Sequence, residues 1–264
     1  MRSSAASYVY KRQGPHIDQY DVFIIQGMGS RRWRVGDKLP MRQFCPHPAL
    51  LHVDPFPPII DEDLAPGDIL YIPPGFPHDG VTHETALNYS VGFRGPNGRD
   101  LISSFADYAL ENDLGGEHYS DPDLTCREHP GRVEEYELER LQSMMIDMIK
   151  QPEDFKQWFG RFATTPRHEL DIAPAEPPYT EEDVVDALTG GEKLCRLSGL
   201  RVLHIGDSFF VNSEQLETTD ANALDALCRY TTVGQGELGE ALQNPAFVAE
   251  LVRLINQGYW YFEE

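Results

Sequence analysis

The sequence predicts an α+β fold in which an antiparallel β-barrel or sandwich is followed by helices and then by a small α+β unit. Up to Gly98 the chain has short runs of β-branched and aromatic residues, separated by Gly/Pro turns without a helical pattern between them. After Gly98 apolar residues recur at helical spacing, and strand-like runs return only towards the carboxyl end. A chain of 264 residues is long enough for one large domain or two smaller ones.

The barrel is predicted from five short strands and the turns between them. The strands are Tyr20–Gln26, Arg31–Val35, Pro58–Asp61, Asp68–Pro73 and Ala86–Phe93. The first two are predicted to pair as a hairpin about the turn at residues 27–30. Two Pro-rich segments are predicted to be loops: residues 39–58, which include short extended pieces, and residues 73–80, which form a rigid loop.

Three amphipathic helices are predicted to follow the barrel, at Asp100–Leu110, Glu134–Ile149 and Glu153–Phe162. In the second helix, an apolar stripe at 3-4-3 spacing consists of Leu138, Leu141, Met145 and Met148. These helices either cover the barrel or pair with a second copy of the chain. A Pro-rich linker, Thr165–Tyr179, separates them from the last part of the chain.

The carboxyl-terminal part resembles a winged-helix module, because it combines helices with a β-hairpin. Thr180 is a candidate N-cap for a helix over Glu181–Leu188. The other predicted elements are strands at Lys193–Ile205 and Ser208–Val211, helices at Ala221–Tyr230, Glu237–Leu242 and Pro245–Asn256, and a last strand at Tyr259–Phe262. The acidity of this part argues against direct DNA binding.

The net charge of −21 is spread over both halves of the chain, −7 up to Pro130 and −14 after it. This balance argues against a nucleic-acid phosphate backbone as a direct partner and favours a basic protein, although acidity can also serve solubility alone. Four widely spaced cysteines without a CxxC pair indicate a reduced, cytoplasmic setting. No apolar run reaches the length of a membrane span.

A candidate metal site begins at His16 and Asp18, just before the first strand. Residues i and i+2 of a strand share a face, so an imidazole and a carboxylate at this spacing can bind one ion from one side. The pair alone is a weak signal, but Gly67, Pro73 and Gly75 lead to His78 in the pattern of the second cupin-type motif. Two histidines and one carboxylate, with other positions open, are typical of non-heme Fe(II) oxygenases. The other histidines are interpreted as solvated or structural, with His204 in a core hairpin.

A 2-oxoglutarate co-substrate needs a cation for its distal carboxylate, and a guanidinium suits that group. Strand alternation places Arg31 with Trp33 and Val35 on one face of their strand. Because Trp33 favours the interior, Arg31 is the best candidate among the three neighbouring arginines, unless all three lie on a solvated face. Asn88 and Ser90, on one face of a later strand, are candidates for additional hydrogen bonds inside the barrel.

Several stretches closely resemble the bacterial JmjC-type ribosomal oxygenases. The first three are GPHIDQYDVFIIQGMGSRRWRVG, DPFPPIIDEDLAPGDILYIPPGFPHDG and LNYSVGFRGPN, and the similarity continues through SFADYALENDLGGEHYSDPD, FKQWFGRF and RHELDIAP to the carboxyl end. The resemblance implies a double-stranded β-helix (a cupin/JmjC barrel) over residues 14–99, a helical dimerisation region over residues 100–165 and a winged-helix-like domain over residues 166–264. Residues 1–13 differ from the family and are expected to be a foreign or disordered leader.

The resemblance also implies a function: Fe(II)-, 2-oxoglutarate- and O2-dependent hydroxylation of an arginine side chain in the large-subunit ribosomal protein L-sixteen. It assigns the iron to His16, Asp18 and His78 and the 2-oxoglutarate carboxylate to Arg31, and it implies a homodimer. Family members have further residues before the first motif, so the chain is expected to be a truncated member with an incomplete barrel and weak iron binding. Two alternatives remain: a cupin-type metalloenzyme that does not use 2-oxoglutarate, and a non-catalytic acidic adaptor for a basic ribosomal protein.

Overall fold

A computed structural model describes residues 2–4, 14–47, 50–82, 84–122 and 124–263. The chain divides into two compact units, Met1–Asn97 and Gly98–Glu264. Among the described residues, no helix is both long and apolar enough to cross a membrane.

The amino-terminal unit consists of ten strands in two antiparallel sheets. The strands are β1 (Arg2–Ser4), β2 (His16–Ile17), β3 (Asp21–Met28), β4 (Arg31–Gly36), β5 (Gln43–His47), β6 (Leu50–Val53), β7 (Pro58–Leu64), β8 (Ile69–Ile72), β9 (Pro77–Val81) and β10 (Leu87–Phe93). One sheet has the order β1-β10-β3-β8, and the other has the order β5-β6-β2-β9-β4-β7. Strand β1 lies within the predicted leader, and the rest of that leader, residues 1 and 5–13, lies outside the described residues.

The core of this unit lies between the two sheets, because alternate residues of each strand point inwards. Val22 and Ile24 of β3 pack in one cluster with Trp33 and Val35 of β4 and with residues of β8. The alternation predicted for β4 is confirmed, since Trp33 and Val35 are buried, whereas Arg32 before them is exposed and Arg34 between them is partly exposed.

The predicted hairpin of β3 and β4 is wrong, because the two strands belong to different sheets. Strand β3 pairs with β10 and β8, whereas β4 pairs with β9 and β7. The chain passes from one sheet to the other at Gly29, which has a φ of +63°. A Cβ atom at Gly29 would lie 2.3 Å from the carbonyl oxygen of Thr85, so only glycine fits this crossing.

The predicted rigid loop over residues 73–80 is also partly wrong, because its second half is strand β9. Pro77 is the first residue of that strand, a position where the missing N–H is tolerated. Strand β9 lies between β2 and β4 and pairs with both, and this long-range pairing decides its conformation.

The carboxyl-terminal unit consists of seven α-helices, one 3₁₀ helix and six short strands among the described residues. They are α1 (Gly98–Glu111), α2 (Glu135–Ile149), α3 (Pro152–Thr164), α4 (Glu181–Thr189), β11 (Leu194–Arg196), β12 (Val202–Ile205), β13 (Ser208–Val211), β14 (Glu214–Leu216), α5 (Ala221–Arg229), β15 (Thr232–Val233), α6 (Gln235–Leu238), the 3₁₀ helix Gly239–Gln243, α7 (Pro245–Asn256) and β16 (Trp260–Phe262). The strands form two sheets, β15-β11-β16 and β12-β13-β14. The long strand predicted over residues 193–205 is therefore two strands, separated by a turn at Gly199 with a φ of +84°.

The largest apolar core of the described residues lies in this unit, between helices α4, α5 and α7 and the short strands. Thr180 caps α4 as predicted: its side chain accepts a hydrogen bond from the Asp183 amide, and Asp183 bonds back to Thr180. Helix α3 packs on the β12-β13-β14 sheet of this unit. Gly160 leaves room there for the ring of Phe210, since a Cβ atom at Gly160 would lie 2.4 Å from that ring.

Helix α2 contains no buried residue. Leu138, Leu141 and Met145 of the predicted stripe are exposed, whereas Met148 packs on the cluster formed by α1 and α3. Three of the four residues in the stripe are thus not covered by the described residues of their own chain, and pairing with a second copy stays a prediction.

Candidate metal centre

The first two candidate ligands lie at the end of β2, a strand of only two residues between β6 and β9. His16 is buried in this strand, and Asp18 follows it directly with a partly exposed side chain. The backbone at Asp18 is fixed by the Gly75 amide, which donates a hydrogen bond of 2.8 Å to the Asp18 carbonyl oxygen. The Pro/Gly loop before His78 thus positions the Asp18 backbone on the neighbouring strand.

The third candidate, His78, lies directly across from His16 in the antiparallel pairing of β2 and β9. The two imidazole centroids are 4.2 Å apart, and His78 Nε2 lies 3.6 Å from Asp18 Oδ2. One ligand atom from each of His16, Asp18 and His78 can be chosen so that all three lie within 4.8 Å of one another. The structure therefore brings together the three residues that the sequence singled out.

Both imidazoles are oriented by backbone carbonyl oxygens. His16 Nδ1 lies 2.9 Å from the carbonyl oxygen of Gly14, and His78 Nδ1 lies 3.1 Å from that of Phe76. With Nδ1–H as the donor in each ring, the lone pair of Nε2 is left to bind a metal, which is the usual arrangement of metal-binding histidines.

The electrostatics of the site favour a neutral imidazole at His78. Burial and, to a lesser extent, the neighbouring His16 lower the pKa of His78 to about 3, although the Phe76 carbonyl and Asp79 oppose the shift. Burial raises the pKa of Asp18, and His16 partly offsets that rise. A neutral imidazole is the metal-binding form, and a divalent cation would reverse the cost of a buried carboxylate.

The three arginines of β4 have different environments. Arg31 is half-buried on the inner face of its sheet, and it donates hydrogen bonds to Asn88 Oδ1 at 2.7 Å and to the Gly80 carbonyl oxygen at 3.1 Å. Arg32 is exposed and pairs with Asp61, whereas Arg34 pairs with the buried Asp79. Burial lowers the pKa of Arg31 and Asp79 partly restores it. The alternative of a common solvated face is therefore wrong for Arg31.

Asn88 and Ser90, the candidates on the later strand, differ in their contact with Arg31. Asn88 lies opposite Gln26 in the pairing of β10 with β3, on the inner side, and accepts the hydrogen bond from Arg31. Ser90 lies opposite Ile24 on the same face. In the described parts of the chain, no side-chain hydrogen bond joins Ser90 to Arg31 or Asn88.

Three residues of this site were not identified from the sequence: Trp33, Gly80 and Gln26. The Trp33 ring lies under Arg31, with its centroid 4.7 Å from Arg31 Cζ, and is 6.2 Å from the His78 ring. Gly80 lies directly across from Trp33, and a Cβ atom there would lie 2.7 Å from Arg31 Nε. The alternation of β4 placed Trp33 on the inner face with Arg31 but gave it no role at the site, and the role of Gly80 depends on a cross-strand contact.

The donor set fits both a divalent metal and a dicarboxylate. Two imidazoles and one carboxylate, with their remaining coordination side open, suit Fe(II). Arg31 Nε, Trp33 Nε1 and Gln26 Oε1 are buried atoms without a hydrogen-bond partner. Two of these orphaned atoms are N–H donors, one in the Arg31 guanidinium itself and one in the indole ring beneath it, and N–H donors with a cationic charge are what a carboxylate of 2-oxoglutarate requires.

The remaining described histidines do not join this cluster. The His52 ring lies 6.4 Å from that of His16 across β6 and β2. His204 was predicted in a core hairpin, but its side chain is about half exposed and lies 3.4 Å from Asp225. The side chains of His47 and His83 lie outside the described residues.

Two family models match the chain: residues 1–101 match the JmjC domain, and residues 147–261 match the ROXA-like winged helix. The ribosomal protein uL16 3-hydroxylase of Escherichia coli K12 is 60% identical over 250 residues, which cover 95% of this chain and 67% of that protein. The chain belongs to the family of JmjC ribosomal oxygenases. A probable ribosomal oxygenase of Haemophilus influenzae is 31% identical over 175 residues, covering 60% of this chain and 41% of that protein.

Solved structures of a ribosomal oxygenase agree with this membership. An X-ray structure of E. coli ycfD has a TM-score of 0.89 and 59% identity, covering 96% of this chain and 68% of that chain. A structure of YcfD in complex with cobalt and 2-oxoglutarate has a TM-score of 0.87 and 56% identity, covering 96% and 67%. The chain thus spans about two thirds of the length of these E. coli relatives. The predicted JmjC barrel and winged-helix-like fold are therefore confirmed.

Proposed function

We propose that this chain is an Fe(II)- and 2-oxoglutarate-dependent hydroxylase that acts on an arginine side chain of ribosomal protein uL16. The observation that carries the proposal is the convergence of His16, Asp18 and His78, with ligand atoms within 4.8 Å of one another, in the same inner space as Arg31. The E. coli relative, a uL16 3-hydroxylase, supports the substrate and the reaction.

In this proposal His16, Asp18 and His78 hold the iron, and the hydrogen bonds of the two imidazole Nδ1 atoms keep both Nε2 atoms directed at it. Iron together with 2-oxoglutarate and O2 supplies the oxidation, in which decarboxylation to succinate and CO2 accompanies hydroxylation of a carbon–hydrogen bond. Asp18, partly exposed, is the ligand nearest to solvent. His16 and His78 are both buried.

Arg31 binds the distal carboxylate of 2-oxoglutarate. Asn88 and the Gly80 carbonyl hold one side of the guanidinium, Trp33 supports its plane, and its other N–H groups remain available. A cupin-type enzyme that uses a metal without 2-oxoglutarate needs no buried cation at this position, which makes that alternative the weaker one. Ser90, on the same face as Asn88, is retained as a candidate contact of the co-substrate.

The charge of the chain fits a cationic substrate. The carboxyl-terminal unit has 33 acidic and 13 basic residues, a net charge of −20. Ribosomal proteins contact RNA phosphates through Lys and Arg, so they are attracted to such a surface. This partner, together with three described cysteines that form no disulfide, supports a cytoplasmic location.

We also propose a homodimer formed through helix α2. The exposed Leu138, Leu141 and Met145 give this helix an apolar face that its own chain does not bury. A second copy of the chain offers the same face, and an isologous dimer would bury both.

The proposal is tested by incubating the chain with Fe(II), 2-oxoglutarate and recombinant uL16 while succinate release and the mass of uL16 are followed. We expect succinate and a mass increase of one oxygen atom on one arginine, both absent in the Asp18→Ala variant. Binding of uL16 without either product in the unsubstituted chain would support the adaptor alternative. Metal binding without any use of 2-oxoglutarate would support the alternative of a cupin-type metalloenzyme.

A further inference from the structure

The carboxyl-terminal unit contains a pocket of about 430 Å³ that takes no part in the proposed metal centre. We name it the Tyr179 pocket. Its aromatic residues are Tyr179, Trp260, Tyr261 and Phe262, and its acidic residues are Glu176 and Asp183. The Tyr179 and Phe262 rings are tilted against each other with centroids 5.5 Å apart, and the fully buried Trp260 lies beside them.

The walls of the pocket are held in place by the rest of the unit. Asn256, at the end of α7, accepts a hydrogen bond of 2.8 Å from the Tyr179 amide and donates one of 3.0 Å to its carbonyl oxygen. The Ala175 amide donates to the Asn256 carbonyl oxygen at 3.2 Å. Ala173 packs so closely on Gly258 that a Cβ atom at Gly258 would lie 2.3 Å from the Ala173 oxygen. The pocket is therefore preorganised, which lowers the entropy lost when a ligand binds.

The charges of the pocket have one sign. Glu176 and Asp183 line it, and no Lys or Arg is among its lining residues. Hydrogen bonds from the Thr180 side chain and amide hold the pKa of Asp183 below its usual range, so this carboxylate is ionised at neutral pH. Within the described chain, no partner of the Glu176 carboxylate compensates its charge.

Aromatic faces next to ionised carboxylates attract cations and repel anions. Between the two cationic side chains of proteins, arginine fits better. Its planar guanidinium stacks on a ring while its edge donates hydrogen bonds to carboxylates, whereas a lysine ammonium is a compact and strongly hydrated charge.

We propose that the Tyr179 pocket binds an arginine side chain of the cationic substrate protein and thereby docks that protein on the carboxyl-terminal unit. The inference rests on the proposed function, which makes a ribosomal protein the partner. The bound arginine is a recognition residue, distinct from the arginine that is hydroxylated at the metal centre. The net charge of −20 of this unit attracts the partner, and the pocket fixes its position.

The pocket is tested with the whole chain, without metal or 2-oxoglutarate, by titrating the peptide acetyl-Gly-Gly-Arg-Gly-Gly-amide at low salt. The indole N–H resonance of Trp260 reports binding in the NMR spectrum. The matched peptide has citrulline in place of arginine, which keeps the shape and removes the charge. We expect a saturable shift with the arginine peptide and about tenfold weaker binding of the citrulline peptide. Equal shifts with both peptides, or no shift with either, would overturn the proposal.

Three substitutions localise the effect. Glu176→Gln removes one charge and should weaken binding of the arginine peptide about three- to fivefold. Tyr179→Ala removes one aromatic ring of the pocket and should weaken binding about tenfold, although the backbone hydrogen bonds of residue 179 to Asn256 can remain. Tyr179→Phe keeps the ring and should bind the arginine peptide as tightly as the unsubstituted chain. Glu217→Gln, a glutamate that lines a different cavity of this unit, is the matched control. A loss of affinity in Glu217→Gln equal to that in Glu176→Gln would show diffuse attraction instead of a pocket.

A turnover assay with uL16 separates this proposal from the proposed function. We expect Glu176→Gln to raise the KM for uL16 and to leave kcat and the affinity for Co(II) unchanged. If the unsubstituted chain releases no succinate, the proposed function fails, and the peptide titration still decides whether the pocket binds arginine. If turnover is normal and Glu176→Gln does not change KM, the pocket has no role in docking.

Discussion

The two units differ in where they place their polar residues. The amino-terminal unit is nearly neutral, with 10 acidic and 9 basic residues, yet it buries His16, Gln26, His78 and Asp79. The carboxyl-terminal unit carries almost all the net charge, but on its surface, and its core is almost entirely apolar. Burying polar groups costs free energy of folding unless they have partners. The amino-terminal unit therefore bears a cost for the polar groups of its site, and the carboxyl-terminal unit has little such cost. Substitutions in the two units should therefore have different consequences.

The largest effect is expected at the ligands of the amino-terminal unit. His16→Ala or Asp18→Ala removes one of three converging ligands and should lower Co(II) affinity more than about 100-fold, since even outer hydrogen-bond partners of ligands contribute about 10- to 100-fold. Titration followed by the visible absorption of Co(II) measures this. His204→Ala, at an exposed histidine of the other unit, is the control, and unchanged Co(II) affinity in either ligand variant would refute the metal assignment.

In the apolar core of the carboxyl-terminal unit, a substitution should lower stability and leave Co(II) affinity unchanged. Phe247→Ala empties a fully buried site on α7 and should lower the free energy of unfolding of this unit by about 3–5 kcal/mol. Chemical denaturation followed by circular dichroism measures the loss. Co(II) affinity should be unchanged under native conditions, and a parallel loss of metal binding would show that the two units do not differ in the way described.

A smaller effect is expected at Arg31. Arg31→Ala removes a charge-assisted contact worth about 1.5–3 kcal/mol, so 2-oxoglutarate should bind about 10- to 100-fold more weakly to the Co(II)-loaded chain. Gly80→Ala should act in the same direction, because its Cβ atom would displace the guanidinium. Calorimetric titration measures both. Arg32→Ala, at an exposed arginine of the same strand, should bind normally; if it alone weakened binding, the carboxylate would meet the outer face.

The next prediction concerns the exposed apolar residues of α2, which are unusual on the acidic surface of the carboxyl-terminal unit. Leu141→Glu combined with Met145→Glu should raise the dimer dissociation constant about tenfold or more, because it places charges in an apolar interface. Sedimentation velocity at micromolar concentrations measures this. Leu110→Glu, at an exposed leucine of α1, is the matched control. Sedimentation of the unsubstituted chain as a monomer would contradict the proposed dimer.

The smallest effect concerns two thiols of the carboxyl-terminal unit. Burial, assisted by Asp225, raises the pKa of Cys228 to about 12, so this thiol stays protonated at pH 8.5, whereas Cys126 is exposed. Iodoacetamide should therefore modify Cys126 at least about tenfold faster than Cys228, since the thiolate is the reactive form. Peptide mapping by mass spectrometry measures both rates. Equal rates would mean that this core opens readily at that pH.

Local patterns predicted most of the elements and singled out the three candidate ligands that the structure brings together. The i, i+2 spacing of His16 and Asp18 and the alternation around Trp33 depend only on strand geometry, and Thr180 is a cap whose signal lies within four residues. The errors concern contacts between distant segments. The sequence around residues 27–30 suggests a hairpin, but β3 and β4 find their partners elsewhere, and the strand character of β9 comes from its two neighbours. Gly80 was missed because its importance depends on Arg31, which lies on another strand.

Because His16 and His78 lie opposite each other on two strands, a metal bound by them would also stabilise the pairing of those strands. Strand β2 is only two residues long, so few backbone hydrogen bonds hold it between β6 and β9. An ion bound by His16 and His78 would link β2 to β9, two strands that pair over only two residues. Metal loading should then slow hydrogen exchange of the amides around Ile17 more than that of amides in the longer β10, and loss of the metal should let this segment open before the rest of the sheet.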